Sequence, residues 1–236
     1  MRAIFKRELQ AYFYTPAAYV YMGVFLMLGS VFYAVNNLAS RSSDLLSLLW
    51  MLSYLWMLLT PVLTMRAFAG ERSARTEQML LTSPVSLFGV VAGKYLAACA
   101  VLLLTVALSL VYVLITACYG RVYPLELFCG YMGFILQGCT FIAVDMLVSA
   151  RSRTVMTAAV WGLGVNLSLW LLDVLSAAVN APVLVNALDF ISLYKRFQPF
   201  ELGQFSFAGV CYFVLLSALM LFFTRQTVEA RRWSEA

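Results

Sequence analysis

The residues best able to do chemistry in this sequence are its carboxylates, and three are placed against long apolar runs. Asp173 lies inside one run, Glu126 opens another and Asp145 closes it. An ionisable group at the midplane of a bilayer would mark an ion path or a catalytic centre, because the charged form is costly there. Position along the runs puts all three nearer the ends, where a carboxylate stays hydrated, so each is read as an interface residue and no charged midplane site is expected. Histidine is absent, which removes the commonest metal ligand and the commonest general base together. No Asp-rich diphosphate motif, His-Glu zinc helix, Ser-Lys or Ser-His pair, or Gly-rich phosphate loop is present, so neither a catalytic residue nor a metal site is expected. The five cysteines, Cys99, Cys118, Cys129, Cys139 and Cys211, lie in or beside apolar runs without Cys-x-x-Cys spacing. They read as small buried hydrophobes, not as a disulfide framework.

The sequence "GLG" at Gly162–Gly164 lacks the third glycine and the strand context of a nucleotide fingerprint. It reads as a packing or flexing point, with Asn166 able to reach a neighbouring helix by a hydrogen bond. Small and polar positions of the second and fifth spans, Gly162 and Asn166 among them, are the loose candidates for a substrate path, and helix packing explains them equally well.

The elements that must position these groups follow from composition. The chain is 63% hydrophobic and 11% charged, against about 25% charged in a soluble domain, so this is an integral membrane protein. Counting apolar stretches against the roughly 20 residues that cross the hydrocarbon predicts an all-α protein with six spans, near 17–35, 45–65, 95–119, 125–148, 154–179 and 207–224. Residues 1–236 form a single transmembrane domain, with 66–94 and 180–206 the only long connections. Every Lys and Arg except Arg41, Arg121, Lys195 and Arg196 falls on the side of the two termini. That bias puts both termini in the cytoplasm and 180–206 outside. The basic residues are scattered over loops, so the net charge of +5 reflects topology and the partner is the lipid bilayer, with no nucleic acid. Neither a repeat nor a linker is visible.

Residues 1–14 read as a helix lying in the headgroup plane. Phe5, Leu9 and Tyr12 fall on one stripe and Lys6, Arg7 and Gln10 on the opposite one, with Glu8 out of place beside the apolar stripe. A polar tail is the alternative.

Charge concentrates at 60–96. Pro61 is expected to bend the inner end of the second span. An acid-to-base pair at Glu71 and Arg75 favours a short helix, Pro84 ends it at Ser83, and Ser86 caps a second piece leading into the third span with Lys94 at the membrane face. The knuckle of Thr76, Glu77, Leu80, Leu81, Thr82 and Ser83 is either a docking element for a cytoplasmic protein or a loop folded back on its own bundle.

The stretch "PVLTMRAFAGERSARTEQMLLTSPVSLFGVVAGKYLAA" resembles the signature segment of ABC-2 type transporter permeases, in particular the gliding-motility-type branch. The likeness rests on Pro61, Thr64, Met65, Arg66, Phe68, Glu71, Arg72, Thr76, the run from Leu80 to Ser86, and Gly93 with Lys94. It departs at Arg75, where a glycine commonly precedes the threonine. "FKRELQAYFYTPAAYVY" and "ISLYKRFQPFELGQFS" resemble the family's interfacial helix and its extracytoplasmic segment.

The resemblance implies a permease subunit of an exporter in a bacterial plasma membrane. It implies a second permease, identical or a related paralogue, and two cytoplasmic ABC ATPase subunits that bind ATP and Mg, so that no cofactor is expected on this chain. An accessory extracytoplasmic protein is compatible with it. A coupling helix near Glu71–Leu81 would dock on the ATPase, with Glu71, Arg72, Arg75, Thr76, Glu77, Leu80, Leu81, Thr82, Ser83 and Pro84 forming the contact. An ATP-independent carrier and a non-transporting scaffold or receptor subunit are the competing classes. The cargo is not legible.

Overall fold

In the computed structural model the described residues are 2–74, 86–178 and 192–234. They form nine helices and no strand: α1 (Arg2–Tyr14), α2 (Pro16–Tyr33), α3 (Leu45–Thr64), α4 (Ala69–Ser73), α5 (Leu87–Tyr119), α6 (Pro124–Arg151), α7 (Val155–Ala178), α8 (Leu193–Glu201) and α9 (Phe207–Ser234). Among the described residues six helices are long and apolar enough to cross a membrane, namely α2, α3, α5, α6, α7 and α9.

Local chemistry sets most helix ends. Pro16 and Pro124 occupy the first turns of α2 and α6, where a missing N–H costs nothing. The Asp44 carboxylate accepts from the amides of Leu46 and Ser47 at the start of α3, and the Ser86 hydroxyl accepts from Gly89 N at 3.3 Å to open α5. The Ser86 cap is as expected, but no break separates it from the third span: one helix runs unbroken from Leu87 to Tyr119. α2 widens into a π-helical turn over Ala34–Ala39, and Asn37 donates from that turn to the carbonyls of Ser42 and Asp44.

Antiparallel crossing gives the bundle two ends. α1, α4, the start of α5 and the α6–α7 turn lie at the end with the termini, called here the terminal end. Residues 40–44, 120–126 and 192–206 lie at the far end. The central helix is α6, 61% buried over its most apolar window, whereas α7 and α9 are 17% and 22% buried. Between α2, α3 and α6 the Trp56 ring stacks on Phe25 and lies tilted against Phe134, each 4.7 Å away, and its Nε1 donates to Phe134 O. Gly138 permits this approach, since a Cβ there would sit 2.6 Å from Leu102 and 3.2 Å from Trp56. All five cysteines are free, and Cys118 is exposed instead of buried, because it lies on the outward face of α5.

At the far end α8 folds into the bundle. Ser192 caps it, accepting from Lys195 N and donating to the Asp173 carboxylate at 2.7 Å. Tyr194, Phe197 and Phe200 are fully buried, with Phe197 stacked on Trp50 and Tyr194 on Tyr54. Gly133 of α6 provides the seat: a Cβ there would fall 2.4 Å from the Phe200 ring.

Candidate functional site

Two polar clusters stand out in an otherwise apolar molecule. The first closes the terminal end. Lys94, on the third turn of α5, donates from Nζ to Glu71 of α4 at 2.7 Å and to Glu8 of α1 at 3.2 Å. The Arg7 guanidinium reaches the same two carboxylates. Lys94 also lies over the Phe68 ring, 5.4 Å from its centroid. Its side chain is 2% exposed while Glu8 and Glu71 are 15% and 19% exposed, so water reaches the carboxylates but not the ammonium.

Lys94 was expected at the membrane face, and the structure shows its side chain enclosed by protein. Gly93 lets α1 approach so closely that a Cβ would stand 3.0 Å from Ile4, and the two helices together cover the lysine stem. Glu8, out of place on the apolar stripe of α1, is where Lys94 requires an anion. The α1 helix itself spans Arg2–Tyr14 as expected. Its hydrogen bond with Glu8 is the main cause holding the Arg7 guanidinium above its ordinary range, against the smaller opposing effect of burial. Burial, more than the nearby Glu8, pushes the Tyr12 phenol up.

The second cluster joins α3, α6 and α7. Pro61 has no N–H, so the carbonyl one turn earlier, Met57 O, loses its helical donor. Asn166 of α7 supplies one: its Nδ2 donates to Met57 O at 3.2 Å and to Asp145 Oδ2 of α6 at 3.2 Å, and approaches Thr60 Oγ1 at 3.4 Å. The interhelical hydrogen bond expected of Asn166 is present. Asn166 is fully buried and Asp145 is 2% exposed.

Asp145 is therefore not the hydrated carboxylate expected. α6 continues to Arg151, so Asp145 sits more than a turn inside the helix, on the face enclosed by α3 and α7. Gly162 packs there too, where a Cβ would meet Pro61 at 2.9 Å and Asp145 Oδ1 at 3.2 Å. Asp145 Oδ1 and Asn166 Oδ1 are buried without a hydrogen-bond partner. A lone acid in "FIAVDMLVSA" was the available signal; which helix face it occupied depended on packing that spacing alone does not reveal.

Of the expected coupling residues, Glu71 faces the ion cluster and Arg72 donates from Nη1 to Ser152 O at 3.3 Å. Ser149 ties the same turn down, accepting from the amides of Phe68 and Ala69 and donating to Met65 O. α4 holds the beginning of the expected coupling helix, while Arg75, Thr76, Glu77, Leu80, Leu81, Thr82, Ser83 and Pro84 lie outside the described residues. Among the described residues no cluster of ligating side chains could hold a metal ion. At the far end, desolvation first and the Asp44 carboxylate second raise the Glu201 carboxyl above its usual range.

The chain matches a family model described as ABC-2 family transporter protein over residues 51–224, from within α3 to within α9. No curated protein matches it.

Proposed function

Because the chain belongs to the ABC-2 family transporter proteins, as a multi-pass membrane subunit with six apolar helices, we propose that it is the permease of an ATP-driven exporter of the gliding-motility-type branch. ATP and Mg are bound by separate cytoplasmic ATPase subunits, and hydrolysis takes place there. Two permeases, copies or paralogues, enclose the path in a bacterial plasma membrane, with room for an accessory extracytoplasmic protein. Every Lys and Arg except Arg41, Arg121, Lys195 and Arg196 falls on the side of the termini, and that bias supports a cytoplasmic position for the terminal end.

The observation that carries the reading is the 2.7 Å ion pair between Glu71 and Lys94. It pins together the two ends of the segment that bears the family motif, and Glu8 and Arg7 tie the same point to α1. A force applied to residues 71–85 by a moving ATPase is thereby delivered to α1, α3 and α5 as a rigid-body displacement. Arg72, Arg75, Thr76, Glu77, Leu80, Leu81, Thr82, Ser83 and Pro84 form the docking contact, with the two leucines filling an apolar notch. The substrate path follows the α3–α7 seam, where Gly162 packs on Pro61 and Asn166 bonds to Met57 O.

The test is co-purification of the membrane-extracted chain with a co-expressed candidate ATPase. The wild type retains the ATPase, and Leu80→Asp/Leu81→Asp and Glu77→Arg lose it; retention by the variants equal to wild type refutes the docking assignment. The buried Asp145 favours a second reading, an ion-driven carrier. That reading requires transport by the chain in vesicles without any ATPase, driven by an ion gradient and abolished by Asp145→Asn.

A further inference from the structure

A groove runs down the outside of the bundle between α6, α7 and α9, enclosing a cavity of about 680 Å³, within the roughly 300–1,000 Å³ of small-molecule sites. Its charge is confined to one end. Arg151, at the last turn of α6, and Arg153, in the turn to α7, line its mouth at the terminal end. Both are exposed, and neither makes an ion pair among the described residues. Away from them the lining is almost wholly apolar, with Trp161, Val165 and Leu169 from α7 and Leu216 from α9.

Thr157, Trp161, Val165 and Leu169 all line the groove and lie four residues apart on one face of α7. From Thr157 to Leu169 the stripe extends about 18 Å at 1.5 Å per residue. One leaflet of hydrocarbon is about 15 Å deep. The groove thus has the length of an acyl chain, beginning at headgroup level beside two guanidiniums. Trp161 is 66% exposed along it, so nothing among the described residues fills the space.

We infer that this groove is a binding site for an anionic phospholipid of the surrounding leaflet, with the phosphate held by Arg151 and Arg153 and an acyl chain laid against Trp161, Val165, Leu169 and Leu216. Arginine suits this role because its planar fork pairs with phosphate oxygens two at a time. A helix of a partner subunit would match the apolar lining but leave the two cations without a counterpart. A soluble anion would engage the cations and leave the apolar channel empty. This inference does not depend on the ATPase reading, and its test uses no nucleotide.

The purified full chain in detergent is titrated with phosphatidylglycerol or with phosphatidylcholine of the same acyl chains, and bound lipid is counted by native mass spectrometry. Wild type retains phosphatidylglycerol selectively, and Arg151→Gln/Arg153→Gln weakens that retention roughly thirtyfold, the weight of two arginines at an anionic surface. Arg225→Gln, a residue of α9 paired with Glu229 at 3.5 Å and outside the groove, leaves it unchanged. Brominated phosphatidylglycerol quenches tryptophan fluorescence in wild type, and the extra quenching disappears in Trp161→Phe. Equal retention of the two lipids, or selectivity preserved in the double arginine variant, overturns the inference. Displacement of the lipid by millimolar inorganic phosphate reassigns the mouth to a free anion. Cross-linking of Val165→Cys into a covalent pair in membranes assigns the groove to a second copy; either result also overturns it.

Discussion

The two ends of the bundle are closed by opposite means. At the terminal end a buried ammonium, two largely shielded carboxylates and a guanidinium join α1, α4 and α5. At the far end a short helix seats three fully buried aromatic residues against α3 and α6. The aromatic seal depends on shape: its neighbours include a glycine whose place no side chain can take without displacing Phe200, and interiors packed at crystal density resist deformation. The ionic seal depends on partner choice. Among the described residues Lys94 has two acceptors and Glu71 two donors, so no single contact carries the joint.

Removing aromatic volume breaks the comparison most strongly. Phe197→Ala is expected to cost about 4 kcal/mol, seen as a large fall in the thermal transition of the purified protein, with no added sensitivity to salt. Lys94→Met comes next. It removes the buried counter-charge, leaves the two carboxylates to the exposed Arg7 guanidinium, and costs about 3 kcal/mol. The addition of Glu71→Gln should recover part of that loss, and full additivity of the two changes would show that the cluster is not one unit.

Asn166→Leu tests the middle of the bundle. It deprives Met57 O and Asp145 Oδ2 of their donor and costs about 2 kcal/mol. Pro61→Ala restores a backbone N–H to the turn, so the Asn166→Leu penalty should shrink in that background; an unchanged penalty would refute the assignment of Asn166 as the replacement donor. The smallest effect belongs to Arg7, whose side chain is 59% exposed. Arg7→Gln should change stability by less than about 0.5 kcal/mol, and that change should vanish in high salt.

Much of the fold was legible because it follows from short-range chemistry. An apolar run of sufficient length becomes a helix in any bilayer, since every backbone group must be satisfied within the segment. Prolines and Ser86 mark their helix starts by their own side chains, whatever surrounds them. The same reasoning did not reveal the burial of Lys94 and Asp145, because a charge close to the end of an apolar run is hydrated or buried according to what packs beside it. Glu8 illustrates the limit most clearly. Along α1 it is a misfit on an apolar stripe, and only the lysine 86 residues further along the chain gives it a purpose.

By itself, then, the sequence determined the membrane environment, the six spans, the N-terminal helix and the family, because composition, periodicity and motif are properties of contiguous residues. Tertiary structure alone decided which charges are buried, that Asn166 replaces the hydrogen bond missing at Pro61, and that Tyr194, Phe197 and Phe200 close the far end. Each of those depends on two or more helices meeting at one point, where Gly93, Gly133 and Gly162 let the partners come close enough for a charge, a ring or an amide to find its counterpart.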